Sequence, residues 1–104
     1  MFKAMIALTR LDEHTHEQFV EWWTVQHAPL ARQLPGVRRI VFNPVDDPGP
    51  GMADGVAELW FDSQEAFTAA YATDIGKQVA ADSLAHVSSR VRMLVQEIEI
   101  LPLA

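Results

Sequence analysis

The sequence predicts an α+β fold of the ferredoxin-like type, with βαββαβ order and a four-stranded antiparallel sheet, as one domain over residues 1–104. Apolar runs bounded by turn residues mark four strands, and stretches with helical spacing follow the first and the third strand. The two helices can cover only one face of the sheet, yet the strands are apolar on both faces. Because monomers avoid large exposed apolar patches, we expect a homodimer in which two sheets pack face to face and close a barrel.

Local signals place the first strand and the first helix. Residues 2–9 form a short strand that is apolar on both faces, and residues 15–18 form a capping box that begins a helix. Pro29 lacks an N–H and clashes with the preceding turn, so we expect a kink near His27. A helix stop at residues 34–36 then ends this helix.

A hairpin is predicted in the middle of the chain. Residues 37–45 and 55–61 are the second and third strands, and they are expected to pair antiparallel. The loop between them, residues 46–54, is rich in proline and glycine and contains no apolar periodicity.

The residue pattern in the last third of the chain predicts an interrupted helix and a final strand. Asp62 and Glu65 carry a second helix-start signature. Residues 73–74 interrupt this helix and cap a second stretch that runs to about Val87. Residues 91–101 are predicted as the fourth strand, since apolar residues alternate there with two glutamates.

Composition excludes several classes of protein and of site. Acidic residues outnumber basic ones by 14 to 8, which gives a net charge of −6, whereas a nucleic-acid-binding protein needs a basic surface. At 49% hydrophobic residues the chain is too apolar to be disordered. It contains no cysteine, which excludes disulfides and thiolate sites. No stretch approaches the ~20 apolar residues of a membrane span, so we expect a soluble cytoplasmic protein.

His27 is the first candidate for catalysis. It shares a helical face with Phe19 and Trp23, which would wall an apolar ligand. An imidazole titrates near pH ~6.5 and burial lowers that value, so a neutral His27 could take a proton from a substrate carbon or hydroxyl. The alternative is a core histidine that bonds a backbone carbonyl freed by Pro29.

Glu58 is the second catalytic candidate, because a carboxylate in the middle of an apolar strand must be paired or protonated. One interpretation pairs it with Arg38 or Arg39 across the hairpin, as an ordinary ion pair. The other pairs it with His27, whose imidazole it would then orient. Trp60, two residues further on, is a candidate wall for a flat apolar ligand.

The remaining histidines and a group of arginines give weaker signals. His86 lies one turn after Asp82, either as a surface helix pair or as a second acid or base beside the substrate. Residues 14–16 read His-Thr-His, but this spacing straddles a helix cap, so we predict no metal site and no cofactor. Three arginines near the end of the first helix would either bind a ligand carboxylate or be solvated at the rim of the ligand pocket: Arg32, Arg38 and Arg39.

Two segments together resemble the EthD family, and the resemblance covers nearly the whole chain. They are Gln18–Trp23 leading to His27–Leu30 and Leu34–Arg39, and Asp54–Ser63. By this resemblance, His27 matches the family's helix histidine, and Glu58 and Trp60 match its third-strand motif. The chain has Ile40 where the family often has tyrosine, so a phenolic donor is missing there.

The resemblance implies a dimeric α+β barrel and a range of activities. The family takes its name from a protein required for bacterial alkyl-ether degradation beside an oxidative enzyme system. Relatives in the wider superfamily include lactone isomerases, polyketide cyclases, cofactor-independent monooxygenases and haem-degrading enzymes.

Three functions remain open at this point. The first is a cofactor-independent enzyme, an isomerase, cyclase, decarboxylase or monooxygenase of a catabolic or polyketide-type pathway. It would hold a hydrophobic or aromatic metabolite between sheet and helices, with His27 as acid or base. The second is a non-catalytic binding or accessory protein of an oxidative degradation system. The third is haem binding with His27 as axial ligand.

Overall fold

A computed structural model describes residues 1–103. Its elements are β1 (Phe2–Arg10), α1 (His16–Glu21), a π-helical segment (Trp22–His27), α2 (Ala28–Ala31), β2 (Arg39–Pro44), β3 (Gly55–Phe61), α3 (Gln64–Ala72), α4 (Asp74–His86) and β4 (Val87–Gln96). The four strands form one antiparallel sheet in the order β2-β3-β1-β4. This confirms the predicted ferredoxin-like βαββαβ fold.

The helices cover one face of the sheet, and the core lies between them and the strands. Ala4, Ile6 and Leu8 of β1 alternate toward the helices, and their β3 partners Leu59 and Ala57 are buried with them. The intervening residues of each strand point to the other face, which no helix of the described chain covers.

The first helix begins as predicted and then changes its hydrogen-bond register. Thr15 and Gln18 form the reciprocal capping box. The expected kink near His27 is a π-helical segment, in which the N–H of Ala28 bonds the carbonyl of Trp23, five residues back. Pro29 follows in the first turn of α2, where its missing N–H costs least.

Two predicted boundaries of the helices are wrong. The first helix ends at Ala31 rather than Leu34, because tight turns replace the helical bonds, with the N–H of Leu34 bonded to the carbonyl of Ala31. The second helical stretch begins after Ser63 rather than Asp62, since the Ser63 hydroxyl accepts from the N–H of Ala66. The break at Thr73, which caps α4, agrees with the prediction.

The last strand is also displaced from its prediction, to Val87–Gln96 instead of residues 91–101. Its register against β1 explains the difference: Phe2, the first residue of β1, lies opposite Gln96. Residues 97–101 therefore run past the end of their partner strand, although their alternation continues. No helix in the described range is long and apolar enough to cross a membrane.

Candidate functional site

The site is centred on the imidazole of His27, the last residue of the π-helical segment. Only 4% of this residue is exposed. The indole of Trp22 packs on one side of the ring, with 5.0 Å between centroids, and the phenyl of Phe42 lies 6.2 Å away on nearly parallel planes. The helix thus holds the histidine against the sheet between two aromatic walls.

Asp82 of α4 orients the histidine. Its Oδ2 lies 2.8 Å from His27 Nδ1. Because a carboxylate can only accept, Nδ1 carries the proton, and Nε2 of the neutral ring keeps its lone pair. This arrangement of an acid behind a histidine is the one that fixes the tautomer of a general base.

The environment keeps the imidazole neutral. Burial lowers the pKa of His27 below its ordinary value of 6.5, and it outweighs the hydrogen bond and the charge of Asp82, which act in the opposite direction. A neutral ring at pH 7 is the form that can accept a proton.

A small cavity lies beside the histidine. Its volume is about 20 Å³, room for about one water molecule. Apolar residues of the sheet form its floor, and Ser83, Tyr71 and Arg90 supply polar groups. The Ser83 hydroxyl lies 3.3 Å from His27 Nε2 and, as the only donor of the two, caps its lone pair. A haem macrocycle does not fit this cavity, and Nε2 is already engaged.

Arg90 is the least expected member of the site. Its Nε is buried and has no hydrogen-bond partner in the described chain, and burial lowers the pKa of its guanidinium. Tyr71 lines the same cavity, and burial raises the pKa of its phenol. Arg90 is half-buried and forms no ion pair within residues 1–103, so it favours an anionic oxygen beside its guanidinium.

Sequence reasoning did not assign a site role to Asp82 as the partner of His27, or to Arg90. A signal for Arg90 exists: it lies opposite Leu8 in the β1–β4 register, so it shares the helix-covered face with that core residue. The predicted strand began at residue 91, so it left Arg90 outside the strand and did not assign it to the helix-covered face.

Glu58 and Trp60 lie on the opposite face of the sheet from His27. The carboxylate of Glu58 bonds Lys3 Nζ at 2.6 Å and Asn43 Nδ2 at 3.0 Å. These bonds, that of Lys3 foremost, hold the pKa of Glu58 below its usual range. The pairing with His27 is wrong, because strand parity turns Glu58 away from the helices. The pairing with the hairpin arginines is wrong for another reason: Arg39 shares the face of Glu58 but lies over Trp60, and Arg38 pairs with Asp62.

Trp60 belongs to this second face too. Its indole Nε1 donates to Glu97, and the cations of Lys3 and Arg39 lie over its ring at 4.7 and 4.6 Å. It forms no wall of the His27 cavity.

The other predicted ligand-binding residues lie near His27 but differ in access. Trp23 lines the cavity and stacks on Phe42, with 4.3 Å between ring centroids. Phe19 is 1% exposed and packs behind Trp23 without reaching the cavity. His86 stacks on Trp22 at 4.5 Å and bonds the backbone carbonyl of Asp82, on the outer side of the site.

The His14–His16 segment belongs to a separate cluster. Asp54, which is fully buried, accepts bonds from His16 Nδ1 and from the backbone and guanidinium of Arg10. Chiefly through these bonds, which outweigh burial, the pKa of Asp54 stays below its usual value. The cluster ties the end of β1 to α1 and to the start of β3. No group of three or more metal-ligating side chains occurs among residues 1–103.

Comparison with known proteins identifies the family of this chain, one relative by sequence and one similar crystal structure. Residues 11–88 match the EthD domain. An uncharacterised 11.0 kDa protein encoded between thcB and thcC in Rhodococcus erythropolis is 35% identical over 78 residues, which span 73% of this chain and 76% of that protein. The crystal structure of an EthD-family protein from Bacillus halodurans superposes with a TM-score of 0.78 at 27% identity, over 94% of this chain and 100% of that one.

More distant structures share the fold. A dimeric ferredoxin-like protein of unknown function from Thermobifida fusca has a TM-score of 0.74 at 16% identity, over 90% of this chain and 88% of that one. SnoaB, a cofactor-independent oxygenase from Streptomyces nogalater, has a TM-score of 0.74 at 18% identity, over 97% of this chain and 96% of its own.

Proposed function

The chain belongs to the EthD family, and on that premise we propose that it is an enzyme that moves a proton on a small hydrophobic or aromatic metabolite, with His27 as general base. The observation that carries the proposal is the 2.8 Å bond from His27 Nδ1 to Asp82, which leaves Nε2 as a buried proton acceptor beside the cavity. The oxygenase SnoaB shares the fold and works without a cofactor, which agrees with chemistry carried by side chains alone.

The reaction class that fits these groups is proton abstraction from a carbon next to a carbonyl. His27 Nε2 takes the proton, the C–H electron pair passes into an enolate, and Asp82 stabilises the resulting imidazolium. Arg90, whose buried Nε has no hydrogen-bond partner in the described chain, supports the negative oxygen of the enolate. Return of the proton to another carbon gives isomerisation. Attack of the enolate carbon on a second carbonyl gives cyclisation, and the alkoxide so formed takes the proton back from the His27 imidazolium.

One observation favours the second candidate, a binding or accessory protein. The cavity has room for only about one water molecule, and the Ser83 hydroxyl occupies the lone pair of His27. A ligand must widen the cavity and displace that hydroxyl before any chemistry begins. In the binding interpretation, His27 and Asp82 only stabilise the fold, and a bound metabolite leaves unchanged.

Hydrogen exchange of a simple aromatic ketone separates the two candidates. In deuterated buffer, NMR follows loss of the acidic C–H signals of 2-tetralone. Wild type is expected to accelerate exchange, and His27→Ala to lower the enzyme's contribution by about 10²–10⁴-fold, the usual weight of a general base. His14→Ala, which changes a turn histidine, serves as control. Equal exchange by wild type and His27→Ala, both being folded, would leave only the binding function.

A further inference from the structure

An open groove lies on the other side of Phe42 from the His27 cavity. Its volume is about 450 Å³, within the range of small-molecule sites. It runs between the end of the first helical stretch and β2, the edge strand of the sheet. Ala28, Val37, Ile40 and Phe42 give it an apolar lining.

The groove also gathers positive charge in an acidic protein. The chain has only 8 lysines and arginines against 14 acids, yet Arg32, Arg38 and Arg39 all line this groove. The guanidinium of Arg39 is engaged over Trp60. The other two remain available to a ligand.

The two available arginines differ in what they contact. Arg32 makes no ion pair within residues 1–103. Arg38 pairs with Asp62 at 3.2 Å, but both side chains are more than half exposed. Exposed pairs of this kind contribute little, so a ligand anion can take the place of Asp62.

Phe42 connects the groove with the catalytic candidate. Its ring lines both the groove and the cavity, and it stands between Trp23 and the open space. It is only half-buried. Rotation of this one side chain would join the 450 Å³ groove to the 20 Å³ cavity, which by itself cannot hold a substrate.

We propose that the groove binds a small amphipathic anion, with its apolar body against Ile40 and Phe42 and its carboxylate or similar acidic group between Arg32 and Arg38. Charge complementarity selects this occupant: an uncharged molecule would gain nothing from the two arginines, and a cation would be repelled. The inference deepens the proposed function, on which it rests, by naming the substrate as an acid that reaches His27 past Phe42.

Two fluorescent probes with the same aromatic body test the groove. 1-Anilinonaphthalene-8-sulfonate carries an acidic group, and N-phenyl-1-naphthylamine lacks it. The double variant Arg32→Gln/Arg38→Gln is expected to raise the dissociation constant of the sulfonate about tenfold, because charge-assisted hydrogen bonds are lost. Binding of the uncharged probe should change less than about twofold. Lys77→Gln, which removes one exposed positive charge on α4, should leave both unchanged.

Amide NMR shifts with the sulfonate show where it binds. Shifts at Ala28, Val37 and Ile40 support the groove. Shifts centred on Met5 and Met93, on the uncovered sheet face, would overturn it, and so would undetectable binding or an equal effect of Lys77→Gln. His27→Ala should bind the sulfonate like wild type. Arginine-dependent binding without His27-dependent exchange contradicts only the proposed function, and the reverse result contradicts only the groove.

Discussion

The position of one carboxylate, Asp82, determines how His27 is interpreted. The helical spacing around His27 was readable in the sequence, because apolar neighbours repeat every three or four residues. Its partner was not, because Asp82 lies 55 residues away and reaches it only through the packing of α4. Asp82 also has a nearer partner in sequence, His86, whose Nδ1 lies 3.4 Å from Asp82 Oδ1 and 2.8 Å from the backbone carbonyl of Asp82.

For Glu58, too, the sequence did not identify the partner of the side chain. A buried carboxylate in an apolar strand correctly predicts an ion pair, but the face of the strand decides the partner. The partner is Lys3 of β1. The pattern of β1 does not predict this pair, because Met5 and Ala7, the next residues on the same face, are uncharged.

The lowered pKa of His27 makes the stability of the fold depend on pH. The unfolded chain binds a proton at this residue near pH 6.5, whereas the folded chain binds it only at lower pH. As the pH falls below 6.5, the unfolded state therefore binds more protons and the folded state loses stability. Urea unfolding from about pH 7.5 to 5.5 should show a steeper loss for wild type than for His27→Gln.

The control for this experiment is Gly49→Ala, which alters no ionisable group and should keep the wild-type slope. Asp54 and Glu58 have lowered pKa values and add their own loss only at more acidic pH, outside this window. Parallel slopes for wild type and His27→Gln would contradict a buried neutral histidine.

Among the elements, α3 and α4 pack closely because one residue between them is glycine, and this close packing positions part of the site. Gly76, in the first turn of α4, lies so close to α3 that a Cβ would clash with the carbonyl oxygen of Ala70 and stand 2.5 Å from the Cα of Tyr71. Both neighbours are backbone and cannot yield. This close approach holds the helix that carries Asp82 beside the residue that carries the phenol of the cavity.

Gly76→Ala should therefore destabilise the fold by about 1–3 kcal/mol, the usual cost of overpacking, although alanine is the better helix former. The matched change Gly49→Ala meets only the Met52 sulfur at 3.7 Å and should stay within about 0.5 kcal/mol of wild type. Chemical denaturation measures both. A Gly76→Ala protein as stable as wild type would mean that α3 and α4 pack less closely than described.

The elements themselves were largely predictable, and their ends were not. Each strand and helix was found because its periodicity is local. The sequence predicted only a kink at the π-helical segment, because its one local signal is Pro29. The change to hydrogen bonds that span five residues has no sequence pattern of its own. The end of β4 depends on where β1 begins, which no local pattern contains.

For the whole molecule, the sheet face opposite the helices leaves apolar side chains exposed. The chain exposes 6630 Å², against the roughly 5,800 Å² expected of a compact monomer of its mass. Val91 and Met93 lie on this face, opposite Ala7 and Met5, and are 53% and 43% exposed. These facts favour the expected homodimer through the sheet.

Sedimentation tests this association. Wild type should sediment as a particle of twice the 11.6 kDa chain, and Met93→Glu as a single chain, because pairing would bury two like charges at the interface. Leu84→Glu changes an exposed apolar residue on α4, away from the sheet face, and should leave the dimer intact. A wild-type protein that remains a single chain at micromolar concentration would contradict the face-to-face dimer.

The central claim is that His27 is a neutral base whose Nδ1 proton is held by Asp82. Long-range ¹⁵N–¹H NMR of histidine-labelled protein, assigned with His27→Gln, reads the protonated nitrogen and the titration midpoint directly. The structure predicts a proton on Nδ1 at pH 7.5 and a midpoint below the ordinary 6.5. A proton on Nε2, or a midpoint above 6.5, would contradict it.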